Sequence, residues 1–200
     1  KSIIFYPFFI LFTYFLANRK SKNLDILPKA FSFICISSFL ILELFKLKIF
    51  ANLLIRRVFF IPAQTIFNYI DFFKENPNVY WSYSLTRNFI EYPYQKDIQI
   101  EIGDFIGLPG AYVNSNFIAS GIMNADVWGV IFYSIIVGLI LKFIDSLSFR
   151  KIPNSIVLST CIIPCFIFLV SSDILTTIVT HGLLVSLILI LCLPKWLKFN

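Results

Sequence analysis

The fold of this chain is decided by the stretch Ala119–Ile144, which reads ASGIMNADVWGVIFYSIIVGLILKFI. Apolar residues fill most of its positions, with Asp126 near its start and Gly138 inside it. A helix needs about 20 mainly apolar residues to cross the hydrocarbon core of a bilayer. The stretch therefore predicts a transmembrane helix.

The composition of the whole chain indicates the same class of protein. Of its 200 residues, 58% are hydrophobic and only 14% are charged. Soluble domains carry about 25% charged residues, so this chain has too few to cover a globule in water. The composition excludes a disordered chain, a soluble enzyme and a disulfide scaffold, and it predicts an all-α, polytopic membrane protein.

Four further segments predict membrane-spanning helices, which brings the expected number of spans to about five. They are Ser2–Ala17, Ala30–Phe45, Ile152–Ser172 and Ile174–Pro194. The segment Asn18–Lys29 is rich in Lys and Arg, and further cations follow the third and fifth spans. Cytoplasmic loops carry an excess of these residues, so these ends are predicted to be cytoplasmic. The Lys and Arg residues at these cytoplasmic ends account for the net charge of +6. The positive charge therefore does not indicate a nucleic-acid partner, and none is expected.

Arg56 and Arg57 set the segment Ile49–Phe73 apart from the predicted spans. Two adjacent arginines near the middle of a bilayer would cost several kcal/mol. The segment, residues 49–73, is therefore predicted to be an amphipathic or re-entrant helix, broken near Pro62. Because this segment is not expected to cross the membrane, all the Lys- and Arg-rich ends of the spans are predicted on the cytoplasmic side. Residues 74–117 then form a large outer loop.

The loop at residues 74–117 is long enough to be typical of a functional loop. Within it, Ile98–Ile102 alternates Ile with polar residues and predicts a short strand. Its aromatic side chains suit either stacking on sugar rings or anchoring at the membrane interface. They are Tyr80, Trp81, Tyr83, Tyr92 and Tyr94.

The residues that could carry chemistry gather at the outer face. A pair of arginines suits a diphosphate, because the guanidinium fork makes bidentate contacts, and it equally suits lipid headgroup phosphates. His181, inside the fifth predicted span, is either a base or substrate ligand, or a neutral histidine bonded to a neighbouring helix. Asp126 suits a helix N-terminus, and Asp71 suits a solvated surface cluster.

No metal and no cofactor is expected. The sequence holds no HExxH, GxSxG, P-loop or CxxC motif, and it has no Gly-rich dinucleotide loop. The cysteines lie in apolar runs without His or carboxylates at ligand spacing, so they are expected to pack as small residues. They are Cys35, Cys161, Cys165 and Cys192.

Two motif-bearing segments lie within residues 50–145. The first runs from Arg56-Arg57 through Pro62 and Asp71 to Asn76-Pro77, and the second is VNSNFIASG at Val113–Gly121, followed by Asn124 and Trp128-Gly129-Val130. Together they resemble the C-terminal half of the bacterial oligosaccharide repeat-unit polymerases, which build O-antigen or capsular polysaccharide. Family members often read Asn-Ala-Asn where this chain has Ser115 between two asparagines.

The resemblance implies a membrane glycosyltransferase at the periplasmic face of the bacterial inner membrane. Its donor and acceptor would be undecaprenyl-diphosphate-linked oligosaccharides, it would need no metal, and a chain-length regulator protein would be a further partner. Since residue 1 is Lys and family members have more spans, residues 1–200 are expected to be one membrane domain from the C-terminal part of a longer chain.

The resemblance also implies roles for individual residues. Arg56 and Arg57 are expected to bind the diphosphate and stabilise it as a leaving group, and His181 joins them as a candidate catalytic residue. The base for the acceptor hydroxyl stays open between His181, Asp71 and Glu91. None of these three matches a motif of the family. The expected substrate-binding residues are Arg87, Asp71, Glu91, Asn114 and Asn116.

Three other functions stay open. An O-antigen ligase, which moves finished glycan onto a lipid core, also uses arginines and a histidine at the outer side, which fits His181. A flippase for lipid-linked oligosaccharide would need charges lining several spans, whereas these spans are almost bare of charge. The third open function is that of a structural subunit that anchors a partner.

The predicted topology can be tested in a variant whose native cysteines are replaced by serine. A cysteine introduced at Trp81 should react with an impermeant thiol reagent added on the periplasmic side, because residues 74–117 are expected outside. A cysteine at Lys22 should react only after the membrane is permeabilised. The reverse labelling pattern would invert the topology.

Overall fold

The computed structural model describes residue 11 and residues 26–46, 51–83, 88–148 and 154–196. Within these residues the chain is helical and contains no strand, which confirms the all-α class. The helices are α1 Ile26–Phe45, a π-helical segment Ala51–Phe60, α2 Ile61–Glu75, α3 Ile98–Phe105, α4 Phe117–Ser148, α5 Asn154–Val170, α6 Ile174–Val179 and α7 Leu183–Trp196. Most of the predicted span Ser2–Ala17 lies outside the described residues.

The chain divides into two units, of which the smaller is formed by residues 19–64. In this unit α1 packs against the π-helical segment. The helix α1 ends at Phe45 as predicted but begins at Ile26, so Ile26–Lys29 is helical and the predicted loop Asn18–Lys29 is too long at its end. The change from π-helix to α-helix falls at Ile61, beside Pro62, which lacks the N–H that a helix interior requires.

The larger unit, residues 1–18 and 65–200, contains a first core built on α2. Thr65, Tyr69 and Phe72 are its buried residues, and their spacing places them on one helical face. Ile98 and Ile102 of α3 pack in the same core and are fully buried. The hydroxyl of Tyr69 donates to the carbonyl of Val113 at 2.9 Å, so burial of this tyrosine leaves its polar end satisfied.

The predicted strand at Ile98–Ile102 is wrong, since these residues form the start of α3. Residues four apart share a face in a helix as well as in a strand. The burial of Ile98 and Ile102 therefore satisfies the alternating pattern in either structure, and the short stretch did not discriminate between them. The described part of the predicted loop, residues 74–83 and 88–117, therefore contains a helix of its own.

The helix α4 is interrupted near its start. Ala125 has non-helical angles, with φ −158° and ψ 34°. Asp126 has φ 51° and ψ −136°, a backbone conformation that a residue with a Cβ rarely adopts. A Cβ on Gly121 would lie 2.6 Å from Cα of Val130, and a Cβ on Gly129 would clash with the carbonyl of Gly121. Residues eight apart in a continuous helix are separated by about 12 Å. The short arm, residues 117–124, therefore folds back on the long arm, residues 127–148.

The long arm of α4 packs with α5 and α7 around a second and a third core. Tyr133 and Val137 meet Ile174 and Leu183 in the second. Leu147 meets Val157, Cys161 and Ile190 in the third. The opposite side of the long arm is exposed and apolar, with Trp128 79% exposed. Among the described residues, one helical stretch, Phe117–Leu147, is long and apolar enough to cross a membrane, and its continuous part is the long arm.

The predicted fifth span, Ile174–Pro194, is not a continuous helix. The helix α6 ends at Val179, and α7 begins at Leu183. Between them Gly182 has φ +85°, which favours glycine and breaks the helix. His181 consequently lies in this break rather than inside a span. The fourth predicted span corresponds to α5, with Pro164 inside it.

The contact between the two arms of α4 predicts that Gly129→Ala destabilises the fold. The added methyl group meets the backbone of Gly121, which cannot move aside as a flexible side chain would. We expect a loss of about 1–3 kcal/mol, measured by thermal unfolding of the purified protein. Gly138→Ala in the same arm is the matched control, since a Cβ there meets nothing within 4 Å, and it should stabilise by about 0.5–1 kcal/mol. Equal effects of both variants would contradict the close contact.

Candidate functional site

A cavity of about 390 Å³ lies within the larger unit, in the size range of small-ligand sites. Part of its lining comes from the described part of residues 74–117, which we call the polar connection. The rest comes from the end of α5, the start of α6 and the break after α6. Ten of its eleven lining residues carry a polar side chain. The lining residues are Tyr83, Gln99, Tyr112, Asn114, Ser115, Ile167, Ser171, Ser172, Asp173, Thr176 and His181.

A tight turn and a helix cap shape the floor of the cavity. The amides of Ser171 and Ser172 both donate to the carbonyl of Ile167, at 2.8 and 3.0 Å, which ends α5. Asp173 then caps α6, because its Oδ2 accepts from the amides of Leu175 at 2.9 Å and Thr176 at 3.4 Å. Aspartate is a preferred residue at this position, since its carboxylate satisfies amides that have no partner inside the helix.

The second carboxylate oxygen of Asp173 is unusual. The residue is 8% exposed, and among the residues that the structure describes, its Oδ1 has no hydrogen-bond partner. A buried acceptor without a donor is costly, and the great majority of buried polar atoms are paired. Since this oxygen has almost no accessible area, it lies in the packed interior, and the other atoms of Asp173 are those that line the cavity.

Tyr83 lines the cavity as well. Its hydroxyl donates to Oε1 of Gln99 at 2.9 Å. Burial is the main cause that raises the pKa of Tyr83 above its ordinary value of 10.0, so the hydroxyl stays neutral at physiological pH. The ring thus presents an uncharged amphipathic surface to the cavity.

Asn124 connects the short arm of α4 to the polar connection. Its Oδ1 accepts from the amide of Trp81 at 2.7 Å, and its Nδ2 donates to the carbonyl of Ser120 at 2.8 Å and to the hydroxyl of Tyr133 at 3.2 Å. The amide of Val79 also donates to the carbonyl of Met123, at 2.7 Å. These bonds position residues 79–83, and with them Tyr83, relative to α4.

The two asparagines of the predicted substrate-binding stretch have different environments. Asn114 is exposed and lines the cavity. Asn116 is 3% exposed, and its Oδ1 accepts from the amide of Ala119 at 3.0 Å, which caps the short arm of α4. The cavity thus brings Asn114 together with His181, whereas the geometry gives Asn116 a structural role; its part in substrate binding stays a prediction.

The other predicted site residues are not among the described residues that line the cavity. Arg56 and Arg57 are exposed in the smaller unit, and Arg87 lies outside the described residues. Asp71 is exposed and pairs with Lys74 at 2.8 Å, as the predicted surface cluster requires. Glu91 is also exposed. Their roles in binding and catalysis stay predictions.

Most of the aromatic residues of the connection pack among themselves or on helices. Trp81 lies edge-on to Phe132, with ring centroids 5.8 Å apart, and Tyr94 contacts Phe72 at 5.7 Å. Of the five aromatic residues singled out in the sequence, Tyr83 lines the cavity. Tyr112 lines it as well and was missed, because the sequence marks it only as one more tyrosine between turn formers.

An ion pair fixes the turn that follows α3. Asp104 accepts from Nζ of Lys96 at 2.6 Å and from the amide of Gly110 at 3.0 Å. These hydrogen bonds lower the pKa of Asp104 below its ordinary value of 3.8, and the bond from Asp104 raises the pKa of Lys96. Lys96 is exposed and Asp104 partly exposed, and the pair stays charged at neutral pH, so Asp104 links Lys96 to the turn at Gly110.

Within the described ranges, no group of three or more His, Cys, Asp and Glu residues could hold a metal ion. Comparison of the chain with protein-family models, with curated proteins and with solved structures gave no match. The chemistry of the site is therefore argued from its own residues. They offer hydrogen bonds from hydroxyls and amides, two tyrosine rings, one carboxylate and one imidazole.

The hydrogen bonds of Asn124 predict that Asn124→Ala is destabilising. The substitution leaves the amide of Trp81 without this acceptor and removes the bond to Tyr133, so we expect a loss of about 1–3 kcal/mol. Thermal unfolding of the purified protein measures it. Asn114→Ala is the control, since Asn114 is exposed and should change the unfolding midpoint little. An unchanged midpoint for Asn124→Ala would show that the network does not hold the connection.

Proposed function

We propose that the chain is a multi-span membrane glycosyltransferase that polymerises lipid-linked oligosaccharide repeat units at the periplasmic face of the bacterial inner membrane. The observation that carries this proposal is the polar cavity at the break between α6 and α7, two helices of an otherwise apolar segment. Irregular backbone at membrane depth is tolerated where it lines a cavity that carries water or substrate. A break of this kind in an apolar segment therefore supports a site for a polar substrate beside a bilayer.

The apolar surface of the helices supports membrane insertion. Only 17% of the most apolar window of the helix Phe117–Leu147 is buried, whereas the core helix of a soluble protein would be mostly buried. Exposed Leu and Ile side chains also cover α7, which includes Ile188 and Leu189. The long arm of α4 spans about 33 Å, close to the thickness of the hydrocarbon core. These two surfaces support a polytopic membrane protein, and we propose the about five membrane segments that the sequence predicts, with the last of them interrupted at Gly182 and residues 74–117 outside.

The lining of the cavity supports a sugar as substrate. Sugars present several hydroxyls in a fixed geometry, and a wall of amide, hydroxyl and carboxylate groups can pair with them. Asn114, Ser171 and Asp173 supply these groups from different elements. Residues that converge on one cavity from separate elements are typical of binding sites.

Arg56 and Arg57 are proposed to act on the donor. In the transfer, the acceptor hydroxyl attacks the anomeric carbon, the bond to the diphosphate oxygen breaks, and the hydroxyl proton passes to a base. Negative charge develops on the departing diphosphate, and a fixed guanidinium stabilises that charge without a metal. His181 is the candidate base that lines the cavity.

A second candidate function is O-antigen ligation. His181 favours it, since this residue lies in a break beside the cavity and is exposed, as a base must be to meet a substrate. Ligation and polymerisation share the donor and the leaving group, and they differ in the acceptor. The products that accumulate in cells separate the two.

Deletion of the gene and gel electrophoresis of the surface glycan test the function directly. Glycan of a single repeat unit is the expected result. Long chains that stay on undecaprenyl diphosphate would instead indicate a ligase, and loss of all periplasmic glycan would indicate a flippase. Unchanged glycan would overturn a role in this pathway altogether.

Complementation of the deletion strain tests the arginines. Arg57→Ala should give a stable, membrane-inserted protein that restores less than about 1% of the polymer, because loss of one charge-stabilising donor costs a factor of about 10²–10³. Lys74→Ala is the matched control, since it removes an exposed cation of the α2 surface pair and should restore normal chain length. Normal chain length with Arg57→Ala would remove Arg57 from the mechanism.

A further inference from the structure

The polar side chains that line the cavity differ in whether they already have partners. The hydroxyl of Tyr83 donates to Oε1 of Gln99 at 2.9 Å, so these two groups are bonded within the fold. Among the residues that the structure describes, the side chains of Tyr112, Asn114 and His181 have no hydrogen-bond partner. All three are exposed and line the cavity, so they are available to a ligand.

The backbone between Tyr112 and Asn114 is held by the first core. The amide of Val113 donates to the carbonyl of Gln99 at 3.2 Å, and its carbonyl accepts from the hydroxyl of Tyr69 at 2.9 Å. The side chain of Val113 packs against the same core, while its neighbours on both sides line the cavity. Two exposed side chains on a fixed backbone can bind a ligand without the cost of ordering the chain.

An aromatic ring beside a free amide suits one face of a sugar ring. Tyr112 is 64% exposed, and in the described part of the chain it contacts no other aromatic ring. The C–H groups of a pyranose are attracted to the negative face of such a ring, and dispersion adds to the attraction. The amide of Asn114 has two donors and an acceptor for the hydroxyls at the edge of the sugar. The described lining includes no Lys or Arg for a phosphate, which favours an uncharged sugar.

We propose that Tyr112 and Asn114 bind an uncharged sugar ring of the acceptor, with the ring of Tyr112 stacked on its C–H face and the amide of Asn114 bonded to its hydroxyls. The assignment to the acceptor rests on the proposed function, in which His181 is the candidate base and lines the same cavity. The binding of a sugar by this pair of residues rests on the cavity and does not require polymerisation. Tyr112 is thereby a substrate-binding residue that the sequence did not single out.

Saturation-transfer NMR of the purified full-length protein tests the binding, since it shows which protons of a ligand contact the protein. The probes are the methyl glycosides of glucose, galactose, mannose and N-acetylglucosamine, each titrated to obtain a dissociation constant. At least one of them should bind. The axial protons on one face of its ring should receive the most saturation, because that face lies against the aromatic ring of Tyr112.

Variants of the two residues separate stacking from other contacts. Tyr112→Leu keeps an apolar side chain but removes the aromatic face, and it should weaken binding of that glycoside by about tenfold. Tyr112→Phe keeps the face and should bind within about twofold of the wild type, and Asn114→Ala should lose about tenfold. Phe89→Leu is the matched control, since Phe89 is an exposed aromatic residue of the polar connection outside the described lining, and it should bind as the wild type does. The saturation pattern of the wild type stands even if a variant fails to fold.

The proposal is overturned if no glycoside of the panel binds, if both faces of the bound ring are saturated equally, if Tyr112→Leu or Asn114→Ala binds as the wild type does, or if Tyr112→Phe loses as much affinity as Tyr112→Leu. These outcomes are separate from failure of the polymerase function. If a glycoside binds through Tyr112 but the deletion strain makes normal polymer, the sugar-binding surface stands and the polymerase function fails. If polymer is lost on deletion but Tyr112→Leu keeps its affinity, the function stands and the surface fails.

Discussion

The backbone contact between Gly121 and Gly129 is the constraint on which the larger unit depends. The two arms of α4 approach so closely that neither position has room for a Cβ. This approach requires the turn at Ala125 and Asp126, where Asp126 adopts a positive φ. The free energy that the turn costs must be offset by the contacts that the fold-back creates.

Those contacts join the polar connection to the apolar helices. The fold-back places Asn124 where it bonds to Trp81 in the connection and to Tyr133 in the long arm. A buried amide that satisfies three partners fixes their relative positions more strictly than apolar packing alone, because any shift leaves a polar group unpaired. The same bonds restrict the position of Tyr83 in the cavity, since Tyr83 lies two residues after Trp81.

The sequence was informative where one local pattern was sufficient. Burial of Thr65, Tyr69 and Phe72 on one face of α2 follows a helical period, and the apolar run at α4 predicted a helix. It was misleading at Ile98–Ile102, where two secondary structures bury the same residues. The fold-back of α4 could not be predicted, because it depends on two glycines that meet only in three dimensions.

For the candidate site, too, the sequence identified some of the residues and not others. His181 and Asn114 were singled out by residue type and both line the cavity. Asn116, two residues from Asn114 and chemically identical, is instead buried as a helix cap. Asp173 follows two serines and belongs to no motif, so its role as the cap of α6 is seen only in the structure. Residue type predicts which groups can do chemistry, but the partners that each group already has decide which remain available for a ligand.

The break after α6 and the cavity depend on each other in the membrane protein proposed here. Helix α6 has only six residues, and the backbone from Thr180 to Gly182 leaves the helix before α7 begins. In hydrocarbon, each unsatisfied backbone group would cost several kcal/mol. At the break, the amide of Thr180 still donates to the carbonyl of Thr176 at 2.7 Å, and the carbonyl of Gly182 accepts from the amide of Ser186 at 2.9 Å. The polar cavity that His181 lines gives the break a polar surrounding. Conversely, a continuous helix from Ile174 to Trp196 would turn His181 away from its present position and deprive the cavity of its imidazole. The glycine at 182, with its positive φ, is thus the residue through which backbone geometry and site chemistry are coupled.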